Sequence, residues 1–377
     1  MQTNIFNAPN SSFMTLNTPA ALGFRMPAEW ETHSASLLSW PCNRETWPGE
    51  RLDRVETVYT QIIQELTKRE HLHLIVNNDA TFERAANCLG SLIKDTKRLT
   101  VHKTTSNDVW ARDFGPIFVR NQMSGLNAIT DWEYNAWGGK YPPYDRDNAV
   151  PGWFSAKYGI QRFKPGIVLE GGSIETNGAG VMLTTESVLL NPNRNPHLSK
   201  SEIEQYLKDW LGQEKVIWLK NGLAGDDTDG HIDDLSRFLN PSTIMTMVTE
   251  DKDDVNYETL QENYELLRSA TDQHGEPFEI VTVPMPETRV AETTVDGSEH
   301  VPASYANFYF VNGAVLLPVY DPRYDDEVIS LFKKHLPGHE IVPIPCADLV
   351  WGQGSIHCIS QQLYGLSHKY DTFVFGC

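Results

Sequence analysis

The chain is short of basic charge. Its 377 residues carry 31 Lys and Arg against 50 Asp and Glu, a formal net charge of −19. Phosphate binding needs a basic face, so nucleic acid is excluded as the expected partner. An acidic surface aids solubility, and it also draws cationic ligands toward a site. Cysteine is sparse: Cys42, Cys88, Cys346, Cys358 and Cys377 are scattered, odd in number and without a C-x-x-C pair. They predict neither a disulfide framework nor a zinc site, and burial is the default expectation for the four other than Cys358. No run approaches the ~18 apolar residues of a membrane span, so no membrane partner is expected. The start, MQTNIFNAPNSSF, lacks the basic-then-apolar order of a secretory leader. A reducing, cytoplasmic setting is the expectation. No linker interrupts the chain, so residues 1–377 are expected to form one domain, with 1–22 as an extended N-terminal segment.

What is present is a recurring order of elements. The apolar spacing of Leu52, Val55, Val58, Ile62, Ile63 and Leu66 marks an amphipathic helix, and HLHLIV at 71–76 reads as a strand. From there one sequence of helix, short β-rich run, polar segment and paired strand-like runs returns five times. The helices are expected around 79–93, 148–158, 199–211, 255–270 and 325–336. The third opens with the capping-box pair Ser199 and Glu202. The β-rich runs are 98–102, 160–163, 216–219, 279–283 and 340–344. Asn177-Gly178 and Asn312-Gly313 mark hairpins, the first read as a type I′ turn. The polar segments carry Asp113, Glu170, His231, Asn307 and Cys358, which stand 51–76 positions apart. Equivalent places in a circular repeat face a common centre, so a five-bladed α/β ring would bring them together.

Each of these residues has an ordinary reading beside a chemical one. Cys358 lies in Gly-x-Gly-x-x-His-Cys. A free cysteine is commonly a small buried hydrophobe, but the glycines, Gly354 among them, allow close backbone approach around a reacting centre. His357 points to the opposite face of a strand from Cys358 and reads as structural. His231 and Asp233 in D-D-T-D-G-H-I-D-D share a face when extended, a base beside an anion. The same run also suits a solvated loop or a hard-cation site, although it fits no EF-hand spacing. Asp113 follows Arg112 and could form a surface pair worth little, while Trp110 just before it could stack on a flat cation. Glu170 is either a turn carboxylate or the orienter of His231. Trp137 is a loop anchor or a pocket wall. Carboxylates, aromatic faces and one thiol suit a planar cation with several N–H donors, and guanidinium meets carboxylates in a bidentate geometry.

The segments W-A-R-D-F-G-P, N-A-W-G-G, E-G-G, T-D-G-H-I-D, S-Y-A-N-F-Y and G-Q-G-S-I-H-C resemble, in order, the motifs of the agmatine deiminase and bacterial-type peptidylarginine deiminase family. The likeness runs from about Gly23 to Gln362. It implies the pentein fold, a five-bladed pseudosymmetric α/β propeller, and a deiminase with neither cofactor nor metal. It implies Cys358 as nucleophile and His231 as general acid/base, with Asp113 and Asp233 clamping the guanidinium. Glu170 and Asn307 would line the site, with Trp110 packed on the substrate. Agmatine would become N-carbamoylputrescine and ammonia through a covalent thiouronium, a step in polyamine metabolism. A homodimer is common in such a family. Two stretches depart from the usual pattern. Gly352-Gln353-Gly354 replaces three glycines, and Thr228-Asp229-Gly230-His231 replaces Thr-Asn-Gly-His. The pocket for the substrate tail is therefore expected to differ, with Asp227 as partner of agmatine's distal ammonium. Deimination of peptidyl-arginine or another guanidine, amidinotransfer, and a non-catalytic guanidine- or metal-binding role remain the alternatives.

Overall fold

The computed structural model describes residues 17–290, 294 and 296–367, apart from the side chains of 94 and 95. Its strands form five separate small sheets. In four of them a strand just after a polar segment pairs antiparallel with the next strand, which pairs in parallel with a strand arriving after a helix. Ile117–Asn121, Asn127–Thr130 and Gln161–Phe163 follow this order, with Phe24–Arg25 added at the edge. So do Glu175–Thr176, Val181–Thr185 and Lys215–Leu219; Ser236–Asn240, Thr243–Val248 and Glu279–Pro284; and Tyr309–Val311, Ala314–Val319 and Glu340–Pro345. The fifth sheet joins the two ends of the chain. Ser360–Leu363 pairs antiparallel with Ala35–Ser39, which runs parallel to His71–Val76 and on to Leu99–Lys103.

The crossovers are helices with one buried stripe. Arg51–Arg69 buries Leu52, Val55, Tyr59, Ile62, Ile63 and Leu66, and it places Lys68 and Arg69 in its last turn, where the carbonyl dipoles favour cations. Val150–Tyr158, Lys200–Leu211, Tyr257–Ser269 and Asp325–His335 lie where the sequence places helices, and Ser199 and Glu202 form the expected reciprocal cap. Strands Ala35–Ser39 and His71–Val76 are buried at every position, as parallel strands covered on both faces must be.

Some expectations fail locally. Asn177-Gly178 does not make a two-residue turn. The Asn177 Oδ1 accepts from the amides of Ala179 and Val181, so the side chain holds a longer loop in which Gly178 and Gly180, not Asn177, take positive φ. The segment 1–22 lies outside the described residues as far as 16, and Ala20–Leu22 is a 3-10 turn rather than extended. Cys346 is buried as expected, but Cys42 is half-buried and Cys88 exposed; Cys377 lies outside the described residues. No helix among the described residues is long and apolar enough to cross a membrane.

Candidate active site

Each of the five singled-out polar segments ends where a first strand begins. Asp113, Glu170, His231, Asn307 and Cys358 stand shortly before the strands that start at Ile117, Glu175, Ser236, Tyr309 and Ser360. All five side chains are buried. The shared position lets segments remote in sequence meet at one place.

The meeting point is a set of acids around an imidazole and a thiol. His231 Nδ1 lies 3.7 Å from Asp113 Oδ1 and 4.0 Å from Asp233 Oδ1. Neither nitrogen of His231 has a hydrogen-bond partner among the described residues. Its imidazole is therefore buried beside charge with both nitrogens uncommitted. Burial would lower the basicity of His231, but Asp113 first, then Asp233 and Glu170, raise it above the ordinary histidine value. Cys358 Sγ lies 3.7 Å from Asp233 Oδ2 and receives a 3.0 Å hydrogen bond from Asn307 Nδ2. Burial, reinforced by Asp233, Asp234 and Asp113, pushes this thiol well up. Burial and these acids thus favour the thiol over the thiolate.

Asp113 is fixed on both oxygens. Trp137 Nε1 donates to Oδ2 at 3.0 Å, and the Gly172 amide donates to Oδ1 at 3.0 Å. Burial, opposed by His231 and reinforced by Asp233 and Glu170, pushes its carboxyl to about 6. A Cβ at Gly172 would come within 2.5 Å of His231 Nδ1 and 2.7 Å of Asp113 Oδ1, so only glycine fits beside the centre. Gly354 is similarly confined: a Cβ there would meet the Trp110 ring at 2.5 Å and the Cys358 Sγ at 3.1 Å. Glu170, expected to orient His231, instead accepts from Arg194 Nε at 2.6 Å, and its other oxygen has no hydrogen-bond partner among the described residues. Its effect on His231 is through charge. Asn307, expected to line the site, holds the segment that carries Cys358. Its Oδ1 accepts from the amides of His357 and Cys358, at 2.9 and 3.2 Å.

A cavity of about 580 Å³ opens over this floor, and Trp110, Asp113, Trp137 and Cys358 line it. Farther out its wall includes Tyr141, Asp227, Thr228 and Gln353. Tyr141 donates its hydroxyl to Asp227, and Lys140 reaches the Asp227 carbonyl. Burial pushes the Asp227 carboxyl up to about 7; the Tyr141 bond opposes this, and Asp226 and Asp296 add to it. Gln353 holds a left-handed φ of 76° and donates Nε2 to Thr294 Oγ1 at 2.9 Å and Asp296 Oδ1 at 3.1 Å.

The Asp-rich run does not assemble a cage for a hard cation. Asp226 accepts from Thr228 and the His231 amide, and Asp229 pairs with Lys140 and Arg194. Asp233, Asp234 and Cys358 lie close together, yet each already receives or shares a hydrogen bond, from His357 to Asp233 and from Asn307 to the other two. Sequence reasoning missed Gly172, Arg194, Tyr141 and Glu29. Only Gly172 had a local signal, as the second glycine of E-G-G.

A family model described as Porphyromonas-type peptidyl-arginine deiminase matches residues 25–363. The agmatine deiminase of Medicago truncatula is 39% identical over 373 residues, covering 92% of this chain and 98% of its own. Among solved structures, the agmatine deiminase of Enterococcus faecalis superposes with a TM-score of 0.85 at 33% identity, over 92% of this chain and 97% of its own. A cysteine-to-serine variant of the C. jejuni agmatine deiminase, solved with substrate bound, gives 0.80 at 32% identity, over 91% and 97%. The mixed α/β fold is the one these enzymes share.

Proposed function

The chain belongs to the Porphyromonas-type peptidyl-arginine deiminase family, and we propose that it hydrolyses agmatine to N-carbamoylputrescine and ammonia. It is a C–N hydrolase acting on an amidine. The relatives named as agmatine deiminases span nearly its whole length. The observation that carries the reading is the cluster beside the cavity's Cys358, where one carboxylate, Asp233, lies within 4.0 Å of both His231 and the Cys358 thiol. A second, Asp113, lies 3.7 Å from the same His231 nitrogen.

Asp113 and Asp233 hold the guanidinium and aim its central carbon at Cys358, with Trp110 and Trp137 walling its flat faces. The arriving cation stabilises the thiolate that burial and the acids disfavour, and the thiol proton is lost to solvent as the cation binds. The thiolate adds to the carbon. His231, protonated, gives its proton to the departing nitrogen, and ammonia leaves a cationic thiouronium on Cys358. His231, now neutral, takes a proton from water. The hydroxide attacks the same carbon, the C–S bond breaks, and the urea product departs. Fixing thiolate and carbon in near-attack geometry can supply on the order of 7–11 kcal/mol of the barrier. Asp227, with Tyr141 set beside it, receives the distal ammonium. The five sheets are blades of one pseudosymmetric propeller and the chain is one catalytic domain. A thiol nucleophile suits a reducing, cytoplasmic setting.

The test is ammonia release from agmatine, arginine, a blocked arginine peptide and n-butylguanidine, with Cys358→Ala beside the wild type. Agmatine should give the highest kcat/KM and Cys358→Ala should be inert. Preference for the peptide would overturn the substrate, and activity in Cys358→Ala would overturn the mechanism.

A further inference from the structure

Directly behind the reaction centre lies a charged layer that the chemistry above does not use. His357 precedes the nucleophile and faces inward. Its Nδ1 is 2.6 Å from Asp233 Oδ2 and its Nε2 is 2.7 Å from Glu29 Oε2. All three side chains are buried. Both ring nitrogens thus meet carboxylate oxygens, and each contact is attractive only when that nitrogen carries a proton. Glu29 is itself anchored, 3.2 Å from Arg112 and 3.0 Å from Arg237, and it accepts from the Phe310 amide at 2.9 Å. The backbone of His357 is tied as well, its amide donating to Asn307.

Three carboxyls crowd the thiol, and they are not equivalent. Burial pushes Asp113 to about 6 and, helped by Asp233, pushes Asp234 well up. Burial acts on Asp233 too, yet the hydrogen bond and charge of His357 hold that carboxyl below the ordinary range, with His231 and Arg237 adding to the effect. The groups facing Asp233 are His357 and Cys358 from the nucleophile segment, His231 and Asp234 from its own, Asp113 from residues 111–114, and Arg237 from the strand that follows. His357 and the Cys358 thiol both meet Asp233 Oδ2, at 2.6 and 3.7 Å, and Oδ1 is left without a hydrogen-bond partner among the described residues.

We infer that His357, backed by Glu29, is a positioning residue for the deiminase reaction: it holds Asp233 by Oδ2 and turns its free Oδ1 toward the substrate's guanidinium. The inference rests on the deiminase reading, because it takes Asp233 as a substrate ligand. His357 touches neither substrate nor the reacting atoms in this role. It acts through Asp233.

Two substitutions separate this role from a merely structural one. In His357→Asn the amide nitrogen reaches the place of Nδ1 and keeps the donor to Asp233. In His357→Gln the donor lies farther out, toward Glu29, and Asp233 loses its partner. The acid limb of kcat/KM for agmatine should move up by about one pH unit or more in His357→Gln, as expected when a carboxylate loses the hydrogen bond to its charged form, and KM should rise. In His357→Asn the limb should stay close to that of the wild type. Equal limbs in both variants and the wild type, or equal shifts in both variants, would overturn the inference. Should neither variant fold, carboxyl-13C spectra of the aspartate-labelled wild type decide. Asp233, assigned through Asp233→Asn, should remain ionised at pH ~5, below the value of about 6 at which Asp113 takes its proton; protonation of Asp233 together with Asp113 would overturn it. A wild type inert toward agmatine would instead sink the deiminase reading and leave the carboxyl titration as a separate result.

Discussion

The inner and outer ends of the cavity are built on different plans. At the inner end, Asp113, Cys358 and the His231–Asp233 pair stand just ahead of strands in three separate sheets and are buried, and Asp113, Asp233 and Cys358 are tied to backbone or to other buried polar groups. At the outer end, Asp227, Tyr141 and Gln353 sit on irregular segments and are held by side-chain hydrogen bonds, Tyr141 to Asp227 and Gln353 to Thr294 and Asp296. The inner end fixes the chemistry on a scaffold in which any displacement costs packing. The outer end can change partners without disturbing that scaffold. One fold can in this way keep one reaction and alter what the guanidinium is attached to.

The largest test of this contrast is Asp113→Asn. It should lower kcat/KM by about 1000-fold, or ~4 kcal/mol, and by the same factor for agmatine and n-butylguanidine, since both present the same group to the floor. A loss confined to agmatine would break the division between the ends. Next comes Asp227→Asn, expected to raise KM for agmatine roughly tenfold, ~1.4 kcal/mol, while n-butylguanidine, which has no distal ammonium, is unaffected. pH sharpens the same pair. Asp227 is pushed up to about 7, so its carboxyl is neutral below that value and ionised above it. The preference for agmatine over n-butylguanidine should therefore fade as pH falls through 7, before the inner clamp fails near the value of about 6 for Asp113. Steady-state kinetics of both substrates from pH 5.5 to 8.5 read this out, and a constant ratio would count against Asp227. The smallest effect belongs to a site remote from both ends. Ser199→Ala removes the reciprocal helix cap and should cost about 1 kcal/mol of stability, seen as a lower urea midpoint with unchanged turnover.

Much of the inner end was legible before any coordinates. Repeating helices declared themselves by apolar spacing and by the Ser199–Glu202 cap, and the strand runs by β-branched residues, because these signals act over a few neighbouring positions. The floor residues could be aligned because each precedes a strand in an equivalent place. What stayed hidden depended on partners far along the chain. Glu29 stands in P-A-E-W-E with no pattern about it, and its partner His357 comes 328 positions later. Arg194 takes Glu170 away from the orienting role its place beside two glycines suggested. Tyr141 acquires meaning only when Asp227 is folded against it. The Asn177-Gly178 turn failed for a different reason: the asparagine side chain competes with the backbone for the same donors.

The sheet just after Cys358 is closed by Ser360–Leu363 lying against Ala35–Ser39. During synthesis the early strand must therefore wait, one edge unpaired, until Ser360–Leu363 has been made. Contacts of such long span form slowly, and an open edge invites association with other chains meanwhile. Cys358 and the strand that closes this sheet come from one stretch of chain, so a product cut off before Ser360 would leave the early edge open and prone to associate.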